Sequence, residues 1–263
     1  MAKTGLLFLG LCFLSFKPVY EEPCGMKNFA FKADEAVTMK VFYSAMGAYI
    51  GAGEATFTNS LERFNGKTVY HCVGEGKSYS FFDNFFKVRD RYESYIDTTT
   101  LLPYKFIRNV DEGGYKKYNN VTFNQTAGTA VSTNGAFKVP NCIQDVVSCV
   151  YYARNIDFEK YKVNDKIPFD MFLDDEVFHL YIRYMGKEKI KTRYGKFNAI
   201  KIKPLLIKGT IFEGGEKMNA WLSDDPNHLL LRVESPISVG SVKVDMMGYK
   251  NLRYPLTSLI SVR

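Results

Sequence analysis

The sequence has few residues of the kinds that carry metal or serine chemistry. It contains three histidines, His71, His179 and His228, and their spacing suits no metal site. Cys72 follows His71, but adjacent residues of a strand point to opposite faces, so these two cannot share a metal. The Gly-x-Ser-x-Gly motif of serine hydrolases is absent. We therefore expect no metal and no cofactor, and we find no catalytic motif.

A nucleotide-binding loop is lacking as well. The segment "HCVGEGKS" ends as a phosphate loop does, with Gly76, Lys77 and Ser78. Such a loop needs a glycine five residues before Gly76, where this sequence has His71, and a helix after it, where this sequence has "YSFFDNFF". The sequence therefore does not predict a phosphate loop.

The sequence shows no transmembrane helix. The apolar run from Leu6 to Phe16 has 11 residues, whereas a helix that crosses a bilayer needs about 20. With Lys3 before it, this run has the form of a secretory signal, and residues 1–20 are predicted to be a signal peptide. We expect an exported protein, periplasmic or outer-membrane-associated, with no nucleic acid as a partner. Lipidation of Cys12 or Cys24 is the alternative, although Leu11 and Pro23 stand where lipoproteins have a small residue.

Cysteines are few, and four of the five lie beyond the predicted signal: Cys24, Cys72, Cys142 and Cys149. Four cysteines allow three complete pairings in an oxidising compartment. Cys142 and Cys149 would lie about 10 Å apart along a helix at about 1.5 Å per residue, too far for a bridge. We predict a disulfide between Cys24 and Cys142, because both lie just outside regular elements. Four buried free thiols are the alternative.

What the sequence does contain is mostly strand pattern. Segments rich in β-branched and aromatic residues, such as "KTVYHCVGEG", "RYESYI" and "YKFIRNV", are separated by Gly, Asn, Asp or Pro turns. The helices that a parallel α/β fold needs between strands are absent. The predicted fold class is therefore mainly β, with a large curled or barrel-like antiparallel sheet in a single domain over residues 21–263.

One main helix is predicted at about residues 141–153, in "NCIQDVVSCVYYARN". Pro140 ends the preceding segment, and Asn141 and Gln144 have the spacing of a capping box. The apolar stripe of this helix would be formed by Ile143, Val146, Val147, Val150 and Ala153. The helix should therefore pack on the sheet.

The opposite face of the predicted helix offers a candidate ligand site. Asp145, Ser148 and Tyr152 are spaced three and four residues apart, so they share one face. With Arg154 they could form a polar ligand-binding site in which the arginine holds the carboxylate. A structural Asp–Arg pair at a polar edge is the alternative.

Two segments about half a chain apart match each other: "NFAFKADEAVTMKVFY" and "EKYKVNDKIPFDMFLD". The match pairs Phe31 with Tyr161, at an offset of 130 residues. Two later features follow in the same order and pair Gly66 with Gly195 and Ile96 with Leu222. The order predicts an internal duplication, with pseudo-repeats at about residues 28–140 and 158–255. The alternative is that all β-hairpins look alike.

Several longer stretches resemble a known family. "KVRDRYESYIDTTTLLPYKFIRNVDEGGY", "PNCIQDVVSCVYYARNID", "RYGKFNAIKIKP" and "WLSDDPNHLLLRVESPISVGSVKVDMMGYK" resemble the domain-of-unknown-function 3108 family of exported bacterial proteins, in its Bacteroidetes branch. The resemblance covers nearly all of the chain after the predicted signal. It implies an envelope protein with a curled antiparallel sheet, similar in fold to periplasmic lipoprotein carriers, and it implies no activity.

Strand alternation in "KVRDRYESYID" makes Asp90 and Tyr92 ligand-binding candidates, because both fall on the more apolar face. A carboxylate that faces inward needs a partner or a proton. The four phenylalanines of "SYSFFDNFFKV", Phe82 and Phe86 among them, could form a hydrophobic lip or line a cavity for an acyl chain. The alternatives are a structural pair for Asp90 and ordinary core packing for the phenylalanines.

The segment from Arg183 to Lys208 is strongly basic, with nine Lys and Arg and a single acid. Its alternating cations lie on one face of a predicted hairpin and are Lys187, Lys189, Lys191 and Arg193. This face could attract anionic lipid headgroups or another envelope polyanion, so contact with a membrane surface is a candidate interaction. A solvated sheet edge is the alternative.

These observations leave three functional hypotheses. The first is a non-enzymatic binding or carrier protein for a lipid or another apolar or amphipathic envelope molecule, held within the curled sheet. The second is a structural or assembly factor that docks on another envelope protein. The third is a hydrolase that uses Asp90 or Asp145.

Overall fold

The structure is a computed structural model that describes residues 25–45, 48–207, 214–237 and 239–263. The predicted signal peptide and Cys24 therefore lie outside the described residues. The strands are β1 (Ala36–Ala45), β2 (Ala48–Phe64), β3 (Lys67–Ser78), β4 (Arg89–Asp97), β5 (Pro103–Glu112), β6 (Tyr115–Asn124), β7 (Thr129–Ser132), β8 (Gly135–Lys138), β9 (Lys166–Leu173), β10 (Glu176–Lys191), β11 (Gly195–Pro204), β12 (Asn219–Ser223), β13 (Leu230–Pro236), β14 (Ser241–Lys250) and β15 (Leu259–Val262). The helices are α1 (Ser80–Asp83), α2 (Ser148–Arg154) and a 3-10 turn at Phe158–Lys160.

All fifteen strands belong to one antiparallel sheet, which confirms the predicted fold class. Its order is β8-β7-β6-β5-β4-β3-β2-β1-β14-β13-β12-β11-β10-β9, and β15 pairs with β11. Two meanders, β1 to β8 and β9 to β14, are joined where β1 pairs with β14. Hairpins of sequence neighbours explain why local strand and turn signals were sufficient to predict the class.

The sheet curls until its two edges contact each other through side chains. Asp174, in the turn between β9 and β10, accepts a hydrogen bond from Arg108 of β5. In the turn between β7 and β8, Asn134 donates to Asp175 at 2.6 Å. The ring centroids of Phe123 in β6 and Phe172 in β9 are 6.1 Å apart. A sheet of this many strands seldom stays flat, and here the curvature buries one face.

The helix predicted at about residues 141–153 is only half correct. α2 begins at Ser148, and the preceding segment runs beside β9. There the N–H of Gln144 donates to the backbone oxygen of Asp170 at 2.8 Å, and the N–H of Phe172 donates to the backbone oxygen of Gln144 at 2.9 Å. The backbone of Cys142 has a φ of 64°, which a right-handed helix does not allow. The open edge of β9 outweighs local helix propensity, because it offers unpaired backbone groups.

The capping box predicted at Asn141 is therefore wrong, and a different pair of residues caps α2. The N–H of Asp145 donates to Ser148 Oγ at 2.8 Å, and the N–H of Ser148 donates to Asp145 Oδ1 at 2.7 Å. This reciprocal pair has the spacing of a capping box, one turn later than predicted.

Three clusters of buried side chains fill the core. The first joins strands β3 to β6 to α2 and contains Phe106, Phe123 and Tyr151. The second joins Met39 of β1 and Met246 of β14 to the β10 to β13 region and to the C-terminal segment. The third packs strands β9 to β12 on the chain that follows α2. Fully buried aromatic side chains thus pack the interior of the described part of the chain.

The two halves of the chain begin alike but differ in a later turn. Asp34 and Asn164 both have positive φ, 62° and 79°, and each lies two residues before its strand. The later pair does not match in conformation. Gly66 has a φ of 78°, whereas Gly195 lies in β11, where an added Cβ would be 2.4 Å from the backbone oxygen of Ser261. The duplication therefore stays a prediction.

Candidate functional site

Asp90 and Tyr92 lie on the inner face of β4. Ser94 and Ile96 share this face and are fully buried, whereas Asp90 is half-buried near the start of the strand. Asp90 accepts a hydrogen bond from the N–H of Asp111 at 3.1 Å. Burial and the neighbouring carboxylate of Glu112 raise the pKa of Asp90 to about 7. Tyr92 packs against the first core cluster, and burial raises the pKa of its hydroxyl.

Asp145 and Ser148 are fully buried, so they do not form an open ligand site. Ser94 Oγ donates to Asp145 Oδ2 at 2.6 Å, and the N–H of Val147 donates to Oδ1 at 2.8 Å. Burial raises the pKa of Asp145 to about 6, although these hydrogen bonds oppose the shift. The Asp145 carboxylate thus connects the chain just before α2 to the inner face of β4.

Arg154 pairs with Glu35 and not with Asp145, which corrects the predicted arrangement. Its guanidinium donates to the carboxylate of Glu35 at 2.5 and 3.0 Å, and both side chains are buried. It also donates to the backbone oxygen of Asn227 at 3.2 and 3.1 Å. Tyr152 lies elsewhere, with its ring centroid 6.2 Å from that of Phe169. The four polar candidates of this region are therefore not one site.

Phe82 and Phe86 belong to an exposed turn and are not among the buried core residues, so the hydrophobic lip stays a prediction. Phe81, which precedes Phe82, is 65% exposed, and Phe85, which precedes Phe86, is 75% exposed. Phe86 lies against Gly113, where an added Cβ would be 2.4 Å from its ring. The turn contains α1 and connects β3 to β4.

The four basic candidates divide into two groups. Lys187 is neutralised by Glu159 at 2.6 Å and Asp224 at 2.9 Å. Lys189, Lys191 and Arg193 are exposed, and none of them forms an ion pair within the described part of the chain. The tip of the β10–β11 hairpin brings the last two toward β1 and β14.

That tip completes a basic cleft of about 190 Å³ on the surface. The Arg193 guanidinium lies 5.0 Å from the ring centroid of Phe42 in β1. The charged residues that line the cleft are Lys191, Arg193, Arg232, Lys243, Arg263 and Asp245. Five cations thus surround one lining carboxylate, and we call this group the basic cleft.

Asp245 is the buried carboxylate of the basic cleft, and its hydrogen bonds hold two of the surrounding residues in place. Its side chain is 2% exposed and accepts hydrogen bonds from Arg232 at 2.6 and 2.9 Å and from the N–H of Arg193 at 3.1 Å. Lys243 pairs with Glu234 at 3.0 Å and lies 4.1 Å from the ring centroid of Tyr49.

The remaining cations of the cleft, Lys191, Arg193 and Arg263, have no side-chain carboxylate within ion-pair distance among the residues that the structure describes. The cleft therefore has an excess of positive charge at a fixed place. Guanidinium and ammonium groups are the usual donors to phosphate and carboxylate oxygens, so the arrangement can bind an anionic group.

Sequence reasoning found part of this cleft and missed the rest. Lys191 and Arg193 were expected from the alternation of charges in one hairpin. Arg232, Lys243 and Asp245 come from strands that are 39 or more residues away along the chain. A basic residue in β13 and another in β14 gave no local signal that they would join the hairpin tip.

A second cleft, of about 520 Å³, lies over strands β2 to β5; Asp90 lines it, and ion pairs neutralise its other charged side chains. Lys77 pairs with Glu54 at 2.8 Å, and Arg91 pairs with Glu75 at 2.6 Å. Within the described ranges, no group of three or more His, Cys, Asp or Glu side chains could hold a metal. In the same ranges, no helix is long and apolar enough to cross a membrane.

Comparisons with solved structures identify a similar fold. A beta-barrel-like protein of domain of unknown function DUF1849 from Brucella abortus has a TM-score of 0.57 at 7% identity, over 86% of this chain and 100% of that one. A candidate exported protein with a YmcC-like fold from Bacteroides fragilis is 12% identical, with a TM-score of 0.33 over 86% of this chain and 100% of that one. A candidate lipoprotein from Parabacteroides distasonis is 13% identical, with a TM-score of 0.31 over 87% and 100%.

Of these three structures, the Brucella protein supports the curled, barrel-like fold, and at this identity it supports nothing further. No curated protein is significantly similar to the chain. A family model with the description "Protein of unknown function (DUF3108)" matches residues 38–247, which include most of the basic cleft. The match covers well over half of the chain, so the chain belongs to the DUF3108 family.

Proposed function

We propose that this chain is an exported, non-enzymatic protein of the cell envelope that binds the anionic group of an amphipathic molecule at the basic cleft. The observation that carries the proposal is the cleft itself. Lys191, Arg193 and Arg263 surround the Arg232–Asp245 pair and have no side-chain carboxylate as an ion-pair partner in the described structure. Export is supported by the secretory form of residues 1–20.

The filled interior favours a ligand at the surface over a cargo enclosed by the sheet. Large side chains such as Phe31, Phe106 and Phe197 are at most 1% exposed in the core clusters. An acyl chain held inside would have to displace such groups, and a packed core resists that displacement. We therefore propose that the protein recognises the charged group of its ligand on the outside of the sheet, and not that the sheet encloses the ligand.

An amphipathic ligand fits the cleft better than a small ion does, because apolar groups lie beside the cations. Phe42 and Tyr49 line the cleft, and Tyr49 is 37% exposed. Ile50, the next residue, is 56% exposed. A headgroup in the cleft could thus have its apolar part next to these side chains.

Calorimetric titration with a water-soluble, short-chain phosphatidylglycerol, used below its micelle concentration, tests this proposal. We expect binding by the unmodified chain and a loss of at least about tenfold in affinity for Lys191→Glu/Arg193→Glu, since two charge-assisted contacts are reversed. The matched control is Lys116→Glu/Lys138→Glu, which makes the same charge change on exposed lysines of β6 and β8.

Phosphatidylcholine of the same chain length should bind more weakly, because its headgroup has no net charge. Equal losses in the two double variants would show that overall charge and not the cleft governs binding. Equal affinity for the two lipids would also refute the proposal.

A further inference from the structure

Apolar side chains protrude from one end of the sheet. Phe81 and Phe85 lie in the turn that follows β3 and are 65% and 75% exposed. Their ring centroids are 5.6 Å apart, so they form one apolar tip. Exposed phenylalanines at this density are unusual on a protein surface and indicate an interaction site.

Neighbouring turns at the same end add to the tip. Gly53 of β2 pairs with Ser78, where the phenylalanine turn begins. Ile50 lies three residues beyond Gly53 along β2, toward the turn to β1, and is 56% exposed. Val239, in the turn between β13 and β14, is 70% exposed. We call Ile50, Phe81, Phe85 and Val239 the apolar rim.

The register of the strands places the ends of β1, β2 and β14 side by side. Ser44 of β1 pairs with Ser241 of β14 and with Tyr49 of β2, so the start of β2 and the start of β14 lie on either side of the end of β1. The N–H of Tyr79 donates to the backbone oxygen of Ala52 at 2.9 Å, which fixes the start of the phenylalanine turn next to β2.

One cation lies between the apolar rim and the basic cleft, and a second flanks the phenylalanine turn. Lys40 Nζ is 5.6 Å from the ring centroid of Phe42, which lines the cleft, and 5.7 Å from that of Tyr79, which precedes α1. Lys87 is exposed directly after the phenylalanine turn. Exposed aromatic and aliphatic side chains beside Lys and Arg are the combination that proteins use at a membrane interface.

We propose that the apolar rim docks on an anionic lipid bilayer, with Phe81 and Phe85 in the headgroup and acyl boundary. The rim consists of side chains that protrude from separate turns and does not form a groove. Side chains that protrude separately can each insert into a fluid lipid bilayer, whereas a protein partner anchors side chains in pockets of matched shape. The nearby cations complement the negative surface of an anionic membrane.

Membrane docking by the rim extends the proposed function, but the side chains of the rim alone support it. A bilayer at the rim would present anionic headgroups close to the basic cleft. The rim and the cleft consist of different side chains, so separate variants can test them.

A tryptophan in the rim reports insertion directly. We expect the fluorescence of Phe85→Trp to be quenched by vesicles that contain brominated phosphatidylcholine and phosphatidylglycerol in equal parts. Leu61→Trp is the matched control, because Leu61 is 51% exposed and lies eight residues from Gly53, or about 26 Å along β2 at about 3.3 Å per residue. Trp221 is buried and gives the same background in both variants.

Vesicle sedimentation measures what the rim contributes to affinity. Phe81→Ser/Phe85→Ser should bind the mixed vesicles at least about tenfold more weakly, since two large apolar side chains no longer leave water. Leu61→Ser/Val131→Ser removes two exposed apolar side chains from other places and should bind as the unmodified chain does. All variants carry the same residues 1–24, so any contribution of that segment is equal.

Several outcomes would overturn the inference. Equal quenching at positions 85 and 61, or no quenching at either, would show that the rim does not insert. Unchanged vesicle affinity in Phe81→Ser/Phe85→Ser, together with loss of a crosslinked protein neighbour in intact cells, would assign the rim to a protein partner. The cleft variant Lys191→Glu/Arg193→Glu should keep the quenching of Phe85→Trp, which distinguishes a failure of the cleft from a failure of the rim.

Discussion

Arg154 at the end of α2 and Glu35 before β1 form a bidentate ion pair in the interior, although 118 residues separate them in the chain. Arg154 is 5% exposed and Glu35 is 2% exposed. Arg154 also donates to the backbone of Asn227, in the turn between β12 and β13. One guanidinium thus connects the start of the first half, the link between the halves and a turn of the second half.

Loss of one partner of this pair should destabilise the fold strongly. We expect Glu35→Gln to lower the free energy of unfolding by about 3–5 kcal/mol, because a buried guanidinium is left without its counter-charge. Urea denaturation measures the effect. Lys77→Met breaks the pair with Glu54, in which Lys77 is 60% exposed, and should change stability by less than about 1 kcal/mol. Similar effects of the two changes would contradict the structural role of Arg154.

We expect Gly195 to be required for stability because the backbone of β15 lies close to it, and not because of its turn conformation. An added Cβ would lie 2.4 Å from the Ser261 backbone oxygen, so Gly195→Ala must displace β15 from β11. We expect a loss of about 1–3 kcal/mol in urea denaturation and faster hydrogen exchange in β15.

Gly248→Ala is the control for the Gly195 change. Gly248 lies in β14 with no atom within 4 Å of an added Cβ, so alanine there should be neutral or slightly stabilising. Unchanged exchange in β15 of Gly195→Ala would show that the strand accommodates the methyl group.

The sheet was predictable because its signals are local. Alternation, turn residues and hairpin spacing all act within a few residues of each other, and every pairing except β1 with β14 and β15 with β11 joins neighbours in sequence. The start of the helix was harder to predict, because the residues before Ser148 pair with the open edge of β9 and do not form a helical turn. No pattern within the segment itself reveals that edge.

The candidate site was predictable only in part for the same reason. Lys191 and Arg193 stand out in a basic hairpin, but the Asp245 carboxylate that fixes their surroundings belongs to β14. Glu35 directly follows Asp34 before β1, whereas its partner Arg154 lies on another element. Contacts between distant segments define both features, and a single sequence does not contain that information.

Asp90 should make stability depend on pH in a defined window. Burial and Glu112 raise the pKa of Asp90 to about 7 in the folded state, against an ordinary value of 3.8. A raised pKa means that the folded state binds the proton more tightly than the unfolded state does. The contribution of Asp90 to stability is therefore full below about pH 4 and is lost as the pH rises to about 7.

Asp90→Asn should remove this dependence. The free energy of unfolding of the variant relative to the unmodified chain should rise between about pH 4 and pH 7 and level off above that range. Urea titrations across a pH series measure it, with the exposed carboxylate of Asp157 changed to Asn as a control. A constant difference between Asp90→Asn and the unmodified chain over the whole range would contradict the assigned shift.

The cysteines should differ sharply in reactivity. Cys72 and Cys149 are free thiols, and Cys142 is disulfide-bonded. Burial raises the pKa of Cys72 well above its ordinary value and that of Cys149 to about 12, so little thiolate is present near neutral pH. We expect iodoacetamide to label neither thiol in the native chain and both after unfolding without reductant.

Mass mapping of the non-reduced protein identifies the partner of Cys142. We predict a linked peptide pair that contains Cys24 and Cys142, and reduction should lower stability by about 2–5 kcal/mol, because a bridge over a long loop restricts the unfolded chain. Cys142→Ser should lose the same amount, whereas Cys149→Ser should keep the link and the stability conferred by it. Rapid labelling of Cys149 in the native state, or a link from Cys142 to a residue other than Cys24, would contradict these assignments.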